Sequence, residues 1–260
     1  MKQELSKKTR TESDLIGSRE VPESALYGVQ TLRGIENFRI SKFHLNEYPL
    51  FIQALAITKM GAAIANRELD LLTKEQTDAI LKACKEILEG KYHDQFPVDM
   101  IQGGAGTTTN MNANEVIANR ALELMGHQRG EYQYCSPNDH VNRSQSTNDA
   151  YPTAIHIGLY YTHLKLVKHF ETLIQSFRKK GEEFANIIKM GRTQLEDAVP
   201  MTLGQTFNGF ASILEHEVKN LDFAAQDFLT VNMGATAIGT GITAEPGYAE
   251  KCIAALGKIT

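Results

Sequence analysis

Three stretches of the sequence gather hydroxyl and amide side chains. They read GGAGTTTNMNANE from Gly103 to Glu115, SPNDHVNRSQSTNDAYP from Ser136 to Pro152, and KMGRTQLEDAVPMTLGQ from Lys189 to Gln205. Such groups donate and accept hydrogen bonds while remaining neutral, so they can bind carboxylates without burying permanent charges beside them. Together the three stretches predict a pocket for a small dianionic substrate.

The first two stretches each precede a predicted helix. Free N–H groups at a helix start attract carboxylates and phosphates, which favours a binding site. A structural role explains any one stretch better when it is taken alone, because Ser, Thr, Asn and Asp are the usual residues of caps and turns. The presence of three such stretches in one chain favours binding.

Other site chemistries find little support in the sequence. The histidines have no zinc-binding spacing such as HExxH, so we expect no metal site. The string GTGITA from Gly239 to Ala244 fits a dinucleotide-binding pattern, but the residues before it make a poor strand and Pro246 follows closely. GGAGTTT lacks the lysine of a phosphate-binding P-loop. We therefore expect no nucleotide cofactor.

The elements that position these stretches are predicted to be helices. Thr73 and Gln76 have capping-box spacing, and apolar residues follow at helical spacing up to Gly90. A long helix is predicted to begin near Thr153, with an apolar seam of Leu166, Phe170, Leu173, Phe177, Phe184 and Ile188. A second long helix has a seam of Phe207, Phe210, Leu214, Val218, Leu221, Ala225 and Phe228, close to the repeat of about 3.5 residues found in helical bundles.

The fold is therefore predicted to be all-α, a bundle of long helices with a small N-terminal region containing minor β structure. Long helices usually pack in bundles, often across subunits. The best strand signal is Val21, Tyr27 and Val29, and any strand there should be short. We predict an N-terminal helical domain over residues 1–140 and an incomplete central long-helix domain over residues 141–260.

Composition excludes several classes of function. The chain has 260 residues, 42% of them hydrophobic, and a net charge of −4 without a basic run, so nucleic acid is not an expected partner. No window approaches the roughly 18 apolar residues of a membrane span, and the start, MKQELSKKTRTESD, lacks the apolar core of a signal peptide. We expect a cytoplasmic protein whose three separated cysteines are reduced thiols.

In their order and separation, the stretches GGAGTTTNMNANE, PNDHVNRSQSTNDAYPT and MGRTQLEDAVPMTLGQ resemble the aspartase and fumarase superfamily. The resemblance extends from about Glu12 to Gly241. It is closer to the aspartases, because class II fumarases typically have histidine after the threonine of the third stretch and this chain has Gln194.

The resemblance implies a nearly all-helical subunit with three domains, a homotetramer, and active sites shared among three subunits. The helix seams at Leu166 and Phe207 would then face other subunits. The implied reaction is the reversible β-elimination of ammonia from L-aspartate to give fumarate, without an organic cofactor. By position, Thr107, Ser146, Thr147 and Asn148 would contact the β-carboxylate and the amino group, and Thr193 would bind the α-carboxylate, with Gln194 nearby.

One family feature is absent from the sequence. The superfamily has a loop of Gly-Ser-Ser followed by Met-Pro-x-Lys-x-Asn, which supplies the serine general base, and residues 1–260 contain no such run. The final YAEKCIAALGKIT resembles a helix without a terminating residue, so we expect the base beyond Thr260 and no turnover by this chain alone. Two alternatives stay open: a class II fumarase, which would release water from malate, and a non-catalytic helical scaffold.

Overall fold

The computed structural model describes residues 8–260, so the first seven residues of the polar start lie outside the described part. The elements in chain order are β1 (Thr9–Asp14), β2 (Gly17–Pro22), α1 (Val29–Asn37), α2 (Pro49–Glu68), α3 (Lys74–Leu88), α4 (Thr107–Leu124), α5 (Thr147–Glu183), β3 (Ile188–Thr193), β4 (Glu196–Thr202), α6 (Leu203–Ala225) and α7 (Tyr248–Ile259). The chain is thus mostly helical, as predicted. Two antiparallel two-stranded sheets, β1–β2 and β3–β4, accompany the helices.

The described residues form two compact units. One comprises the chain up to Gly158 together with Val231–Thr260, and the other is Leu159–Thr230. The helix α5 begins in the first unit and continues into the second. The domain boundary at residue 140 remains a prediction.

The first unit is built around α2, which is buried over most of its length. Its sequence, PLFIQALAITKMGAAIANRE, is rich in alanine, and these small side chains allow neighbouring helices to approach closely. At Gly61 a Cβ would lie 2.6 Å from the Leu256 side chain of α7. Helices α3 and α4 also pack against α2, so this helix forms the centre of the core.

Local signals predicted α3 correctly. The Thr73 hydroxyl accepts a hydrogen bond from the Gln76 N–H at 3.2 Å, and the Gln76 side chain accepts from the Thr73 N–H at 3.1 Å. This capping box satisfies two backbone donors at the helix start. The buried face carries Ile80, Cys84 and Ile87, which belong to the predicted stripe. The predicted terminal helix is also present, as α7.

The start of α5 lies six residues before the predicted position, at Thr147 rather than Thr153. Pro152 does not prevent this, because a proline near a helix start removes only one backbone hydrogen bond. The carbonyl of Asn148 would have accepted that bond, and it accepts instead from the side chain of Asn232 at 3.0 Å. A side chain distant in sequence therefore compensates for the proline.

Two residues were assigned to the wrong kind of element. Ile188 was predicted to lie on the long helix but begins β3, and Val29 was predicted to lie in a strand but begins α1. The third polar stretch forms the β3–β4 hairpin, for which the sequence analysis had no strand signal. Pairing between residues on either side of a turn stabilises such strands, and periodicity within one segment does not reveal it.

Aromatic packing organises the second unit. The Phe207 ring lies 6.0 Å from the Phe177 ring and 5.6 Å from the Phe184 ring, between centroids. At Phe207 the apolar seam of α6 therefore packs against Phe177 and Phe184 of the same chain, so this part of the seam is already covered. Phe210 and Phe223 of the same helix remain exposed.

Candidate functional site

The first polar stretch makes a tight turn that leads into α4. Gly104, Ala105 and Gly106 have φ angles of 83°, 52° and 88°, all in the left-handed region. This conformation is costly for Ala105, which has a Cβ, and such strain is found preferentially near functional sites. The exposed Thr107 follows at the helix start, and its hydroxyl donates to the Gly104 carbonyl at 2.7 Å.

The starts of α4 and α5 lie against each other. A Cβ at Gly106 would be 2.4 Å from the ring of Tyr151 in α5, so only glycine allows this approach. One turn into α4, the Asn110 Nδ2 atom donates to the Thr147 hydroxyl at 3.1 Å. The structure therefore brings Thr107 and Ser146–Asn148, which lie about 40 residues apart in sequence, to two adjacent helix starts.

Several backbone N–H groups at these helix starts are already bonded within the chain, contrary to the sequence-based expectation of free donors. The Asn148 N–H donates to the Ser146 hydroxyl at 3.1 Å, and the Ser146 N–H donates to Asp149 Oδ1 at 2.9 Å. In α4 the Thr109 N–H donates to the Gln102 side chain at 2.9 Å. Capping by the chain itself reduces the number of backbone donors left for a ligand, so side-chain groups must supply part of the binding.

Thr147 is well suited to donate to a carboxylate. Its oxygen accepts from Asn110, and a hydroxyl that accepts one bond can still donate its own proton. Thr107 and Thr108 line an open cleft of about 510 Å³, whose other wall includes Gln30 and Arg33 of α1. Ser146, Thr147 and Asn148 are not among the residues that line this cleft.

A buried lysine in α2 connects the two polar stretches, and the sequence analysis did not identify it. The Lys59 Nζ atom donates to three amide oxygens: Asn110 Oδ1 at 2.7 Å, Gln145 Oε1 at 2.9 Å and Asn142 Oδ1 at 3.0 Å. Burial lowers the pKa of Lys59 to about 7, opposed by the negative charge of Asp149. The available signal was a single lysine within the apolar run ALAITKMGAAIAN.

Other polar residues of the first stretch stabilise the fold rather than face a ligand. Glu115 is buried and accepts from the backbone N–H groups of Gly28, Gln30 and Thr31 at 2.8–3.0 Å. It thereby caps the N-terminus of α1. Asn112 is buried and donates to the Gln95 carbonyl at 2.9 Å. The structural interpretation is correct for this part of the stretch.

Thr193 and Gln194 lie at the tip of the β3–β4 hairpin, in the second unit. Thr193 pairs with Glu196, which leaves Gln194 and Leu195 as the two turn residues. Their φ angles are 49° and 68°, a left-handed pair that hairpin turns usually fill with asparagine and glycine. All three residues from Thr193 to Leu195 are exposed.

Within residues 8–260 no group of three His, Cys, Asp or Glu side chains is placed to hold a metal ion. No helix in the same range combines the length and the apolar composition that crossing a membrane requires. The cysteines Cys84, Cys135 and Cys252 are buried free thiols, as predicted. The GTGITA string is not preceded by a strand, so it lacks the structural context of a dinucleotide site.

Comparison with known proteins agrees with this fold and with the order of the motifs. A family model described as a lyase matches residues 17–260. The aspartate ammonia-lyase of Pseudomonas canavaninivorans is 56% identical over 252 residues, which cover 96% of this chain and 53% of that protein. The chain thus spans about half the length of the curated relatives it matches.

Two solved structures of the same family are also similar. The fumarate lyase:delta crystallin from Brucella melitensis, bound to cobalt, matches with a TM-score of 0.92 at 50% identity, over 97% of this chain and 55% of the other. Recombinant class II fumarase from Schistosoma mansoni gives a TM-score of 0.90 at 36% identity, over 97% and 53%. Because the family model covers nearly the whole sequence, the chain belongs to the aspartase and fumarase superfamily of lyases.

Proposed function

We propose that this chain forms part of the substrate site of an aspartate ammonia-lyase. The observation that carries the proposal is the adjacency of the α4 and α5 starts, where Thr107 is exposed, the Thr147 hydroxyl keeps its proton for a ligand, and Asn110 connects the helices. The whole protein would convert L-aspartate to fumarate and ammonia. The similarity to aspartate ammonia-lyases supports this choice of reaction.

The proposed chemistry requires stabilisation of a transient dianion. A base removes a proton from the carbon beside the β-carboxylate, the electrons move onto that carboxylate, and the C–N bond then breaks as ammonia leaves. Preorganised donors aimed at the developing charge lower the barrier for such a step. Thr107, Ser146, Thr147 and Asn148 would contact the β-carboxylate and the amino group.

The hairpin tip would serve the other end of the substrate. We propose that Thr193 binds the α-carboxylate and that Gln194 lies beside it. The turn residues Gln194 and Leu195 have left-handed φ angles that are costly for residues with a Cβ, and strained residues of this kind cluster at ligand-binding sites, which favours a binding role.

The base would come from a part of the protein that this chain does not span. Residues 1–260 contain no Gly-Ser-Ser run followed by Met-Pro-x-Lys-x-Asn. We further propose a cytoplasmic homotetramer without an organic cofactor, in which exposed apolar residues such as Phe210, Phe223 and Leu166 face other subunits.

The test is turnover by this chain together with the part of the Pseudomonas canavaninivorans relative that it does not span. L-Aspartate and L-malate are supplied separately, and fumarate absorbance is followed. We expect fumarate from aspartate only when both parts are present. Fumarate from malate alone would favour the fumarase alternative. No turnover from either substrate by an assembled complex would favour the scaffold.

Two substitutions separate an enzyme from a scaffold in the same assay. Thr147→Val should reduce aspartate turnover at least tenfold, because one hydroxyl donor to the developing charge is lost. The control is Thr172→Val in α5, whose hydroxyl bonds only to the Lys168 carbonyl of its own helix among the described contacts. Equal turnover by the two variants would contradict the assigned role of Thr147.

A further inference from the structure

The segment Asn232–Gly241 has no helix or strand of its own and yet follows a defined path. Gly234, Gly239 and Gly241 have φ angles of 93°, 91° and 70°, and Thr236 has a φ of 57° although it carries a β-branched side chain. A left-handed threonine is unfavourable and persists only where its surroundings impose it.

The constraint comes from Asp149 in the first turn of α5. Its Oδ2 atom accepts from the Thr236 N–H at 2.9 Å and from the Gly234 N–H at 3.1 Å. Its Oδ1 atom accepts from the Ser146 N–H at 2.9 Å. One carboxylate thus closes the N-cap of α5 and holds the segment against the same helix start.

A second pair of contacts joins the segment to the neighbouring residue, Asn148. The Asn148 Nδ2 atom donates to the Ala237 carbonyl at 2.9 Å, and the Asn232 side chain donates to the Asn148 carbonyl. An amide nitrogen carries two protons, so Asn148 keeps one for a ligand while Ala237 fixes the plane of its side chain. The path of the segment therefore determines the direction of the remaining proton.

Asp149 is costly to bury and has no role in the chemistry proposed above. The residue is fully buried, and burial raises the pKa of its carboxyl group. Backbone N–H groups from both segments compensate by donating to it, and the Lys59 charge acts on it from α2. A carboxylate accepts at both oxygens, which no neutral side chain of the same shape does.

We propose that Asp149 is a positioning residue of the site, which orients the Asn148 side chain by fixing the segment Asn232–Gly241. This inference rests on the proposed function, because it assigns Asn148 to ligand binding. Asp149 does not touch the substrate in this account. It acts through the Gly234 and Thr236 backbone and then through Ala237.

The test is the Asp149→Asn variant, which keeps the side-chain shape but directs an NH₂ group at backbone donors on one side. Hydrogen exchange is measured at the amides of Gly234 and Thr236, and succinate binding is measured by calorimetry. We expect exchange at least tenfold faster at these two amides, unchanged exchange in α2 and α3, and at least tenfold weaker binding. Asp78→Asn, an exposed change in α3, should alter neither property.

A milder variant provides a second test in case Asp149→Asn does not fold. Asn232→Ser removes the hydrogen bond to the Asn148 carbonyl, leaves the carboxylate in place, and should give smaller changes of the same sign in both measurements. Unchanged exchange at Gly234 and Thr236, or unchanged succinate affinity, in the folded Asp149→Asn variant would overturn this inference alone. Failure of the unmodified protein to bind succinate would overturn the proposed function and this inference with it.

Discussion

The Asn110 side chain lies between Lys59 and Thr147, and its orientation is fixed by both. Its oxygen accepts from the Lys59 Nζ atom at 2.7 Å, and its nitrogen donates to the Thr147 hydroxyl at 3.1 Å. An ammonium group only donates, so the amide oxygen must face Lys59 and the nitrogen must face Thr147. A buried lysine in α2 therefore determines which way the Thr147 proton is free to point.

The close approach of α4 and α5 predicts a specific sensitivity at Gly106. Gly106→Ala should lower the free energy of unfolding by about 2–4 kcal/mol, because the new Cβ overlaps the Tyr151 ring and the left-handed backbone is strained. Gly126→Ala is the matched control, with a φ of 84° and nothing within 4 Å of the added Cβ. Urea unfolding of both variants checks this. An equal decrease in the free energy of unfolding for the two variants would show that the helix contact does not constrain Gly106.

Lys59 predicts a pH dependence of stability. Burial lowers its pKa in the folded state to about 7, whereas an unfolded lysine titrates at about 10.4. Between these values the unfolded chain binds more protons, so this group makes stability rise with pH by up to about 1.4 kcal/mol per unit. Lys59→Met should lack this contribution between pH 7 and pH 8.5.

Urea unfolding across that range measures the difference, with Lys82→Met, an exposed change in α3, as the control. Lys59→Met should also be less stable overall by about 2–4 kcal/mol, because three buried amide oxygens lose their donor. Parallel pH profiles for Lys59→Met and the unmodified protein would refute the assigned titration.

Glu115 predicts a strong effect on stability at a residue that is not assigned to substrate binding. Glu115→Gln should lower the free energy of unfolding by about 2–4 kcal/mol, because an NH₂ group replaces an oxygen that accepts from the N-terminus of α1. Glu75→Gln removes a carboxylate from the exposed first turn of α3 and should cost at most about 0.5 kcal/mol. Chemical denaturation gives both values. A loss for Glu115→Gln no larger than the control loss would contradict the capping role.

The hairpin tip predicts a stabilising substitution. Leu195→Gly should raise the free energy of unfolding of the second unit by about 0.5–1 kcal/mol, since glycine adopts the φ of 68° without strain. Leu173→Gly, an exposed change within α5, should lower it by about 1 kcal/mol or more. Denaturation monitored by hydrogen exchange in β3 and β4 distinguishes them. A destabilised Leu195→Gly hairpin would show that the leucine side chain stabilises this turn.

The sequence predicts those elements whose stabilising groups lie within a few residues of each other. The α3 helix could be predicted because Thr73, Gln76 and the apolar stripe all belong to one segment. The β3–β4 hairpin could not, since Gln194 and Leu195 are not typical turn residues and the strands depend on their pairing. The early start of α5 depends on Asn232, a residue 84 positions from Asn148.

The candidate site was predictable in its side-chain types but not in its hydrogen bonds. The polar stretches correctly identified two helix starts that the fold brings together. Their composition did not reveal that Ser146 and Gln102 already satisfy backbone N–H groups, or that Lys59 lies behind the Asn110 side chain. The Lys59–Asn110 contact joins residues 51 positions apart, which only the tertiary structure brings together. The caps by Ser146 and Gln102 are local, over two and seven residues, and depend on side-chain orientations that composition does not specify.

The central claim is that the adjacent starts of α4 and α5 bind a dicarboxylate. The most direct measurement is a succinate titration of this chain, followed by the backbone amide NMR signals of Thr107, Thr147 and Asn148. The account predicts saturable shifts at these three residues and none at Thr172 in α5. Saturable shifts confined to other residues, or no shifts at any concentration up to tens of millimolar, would contradict it.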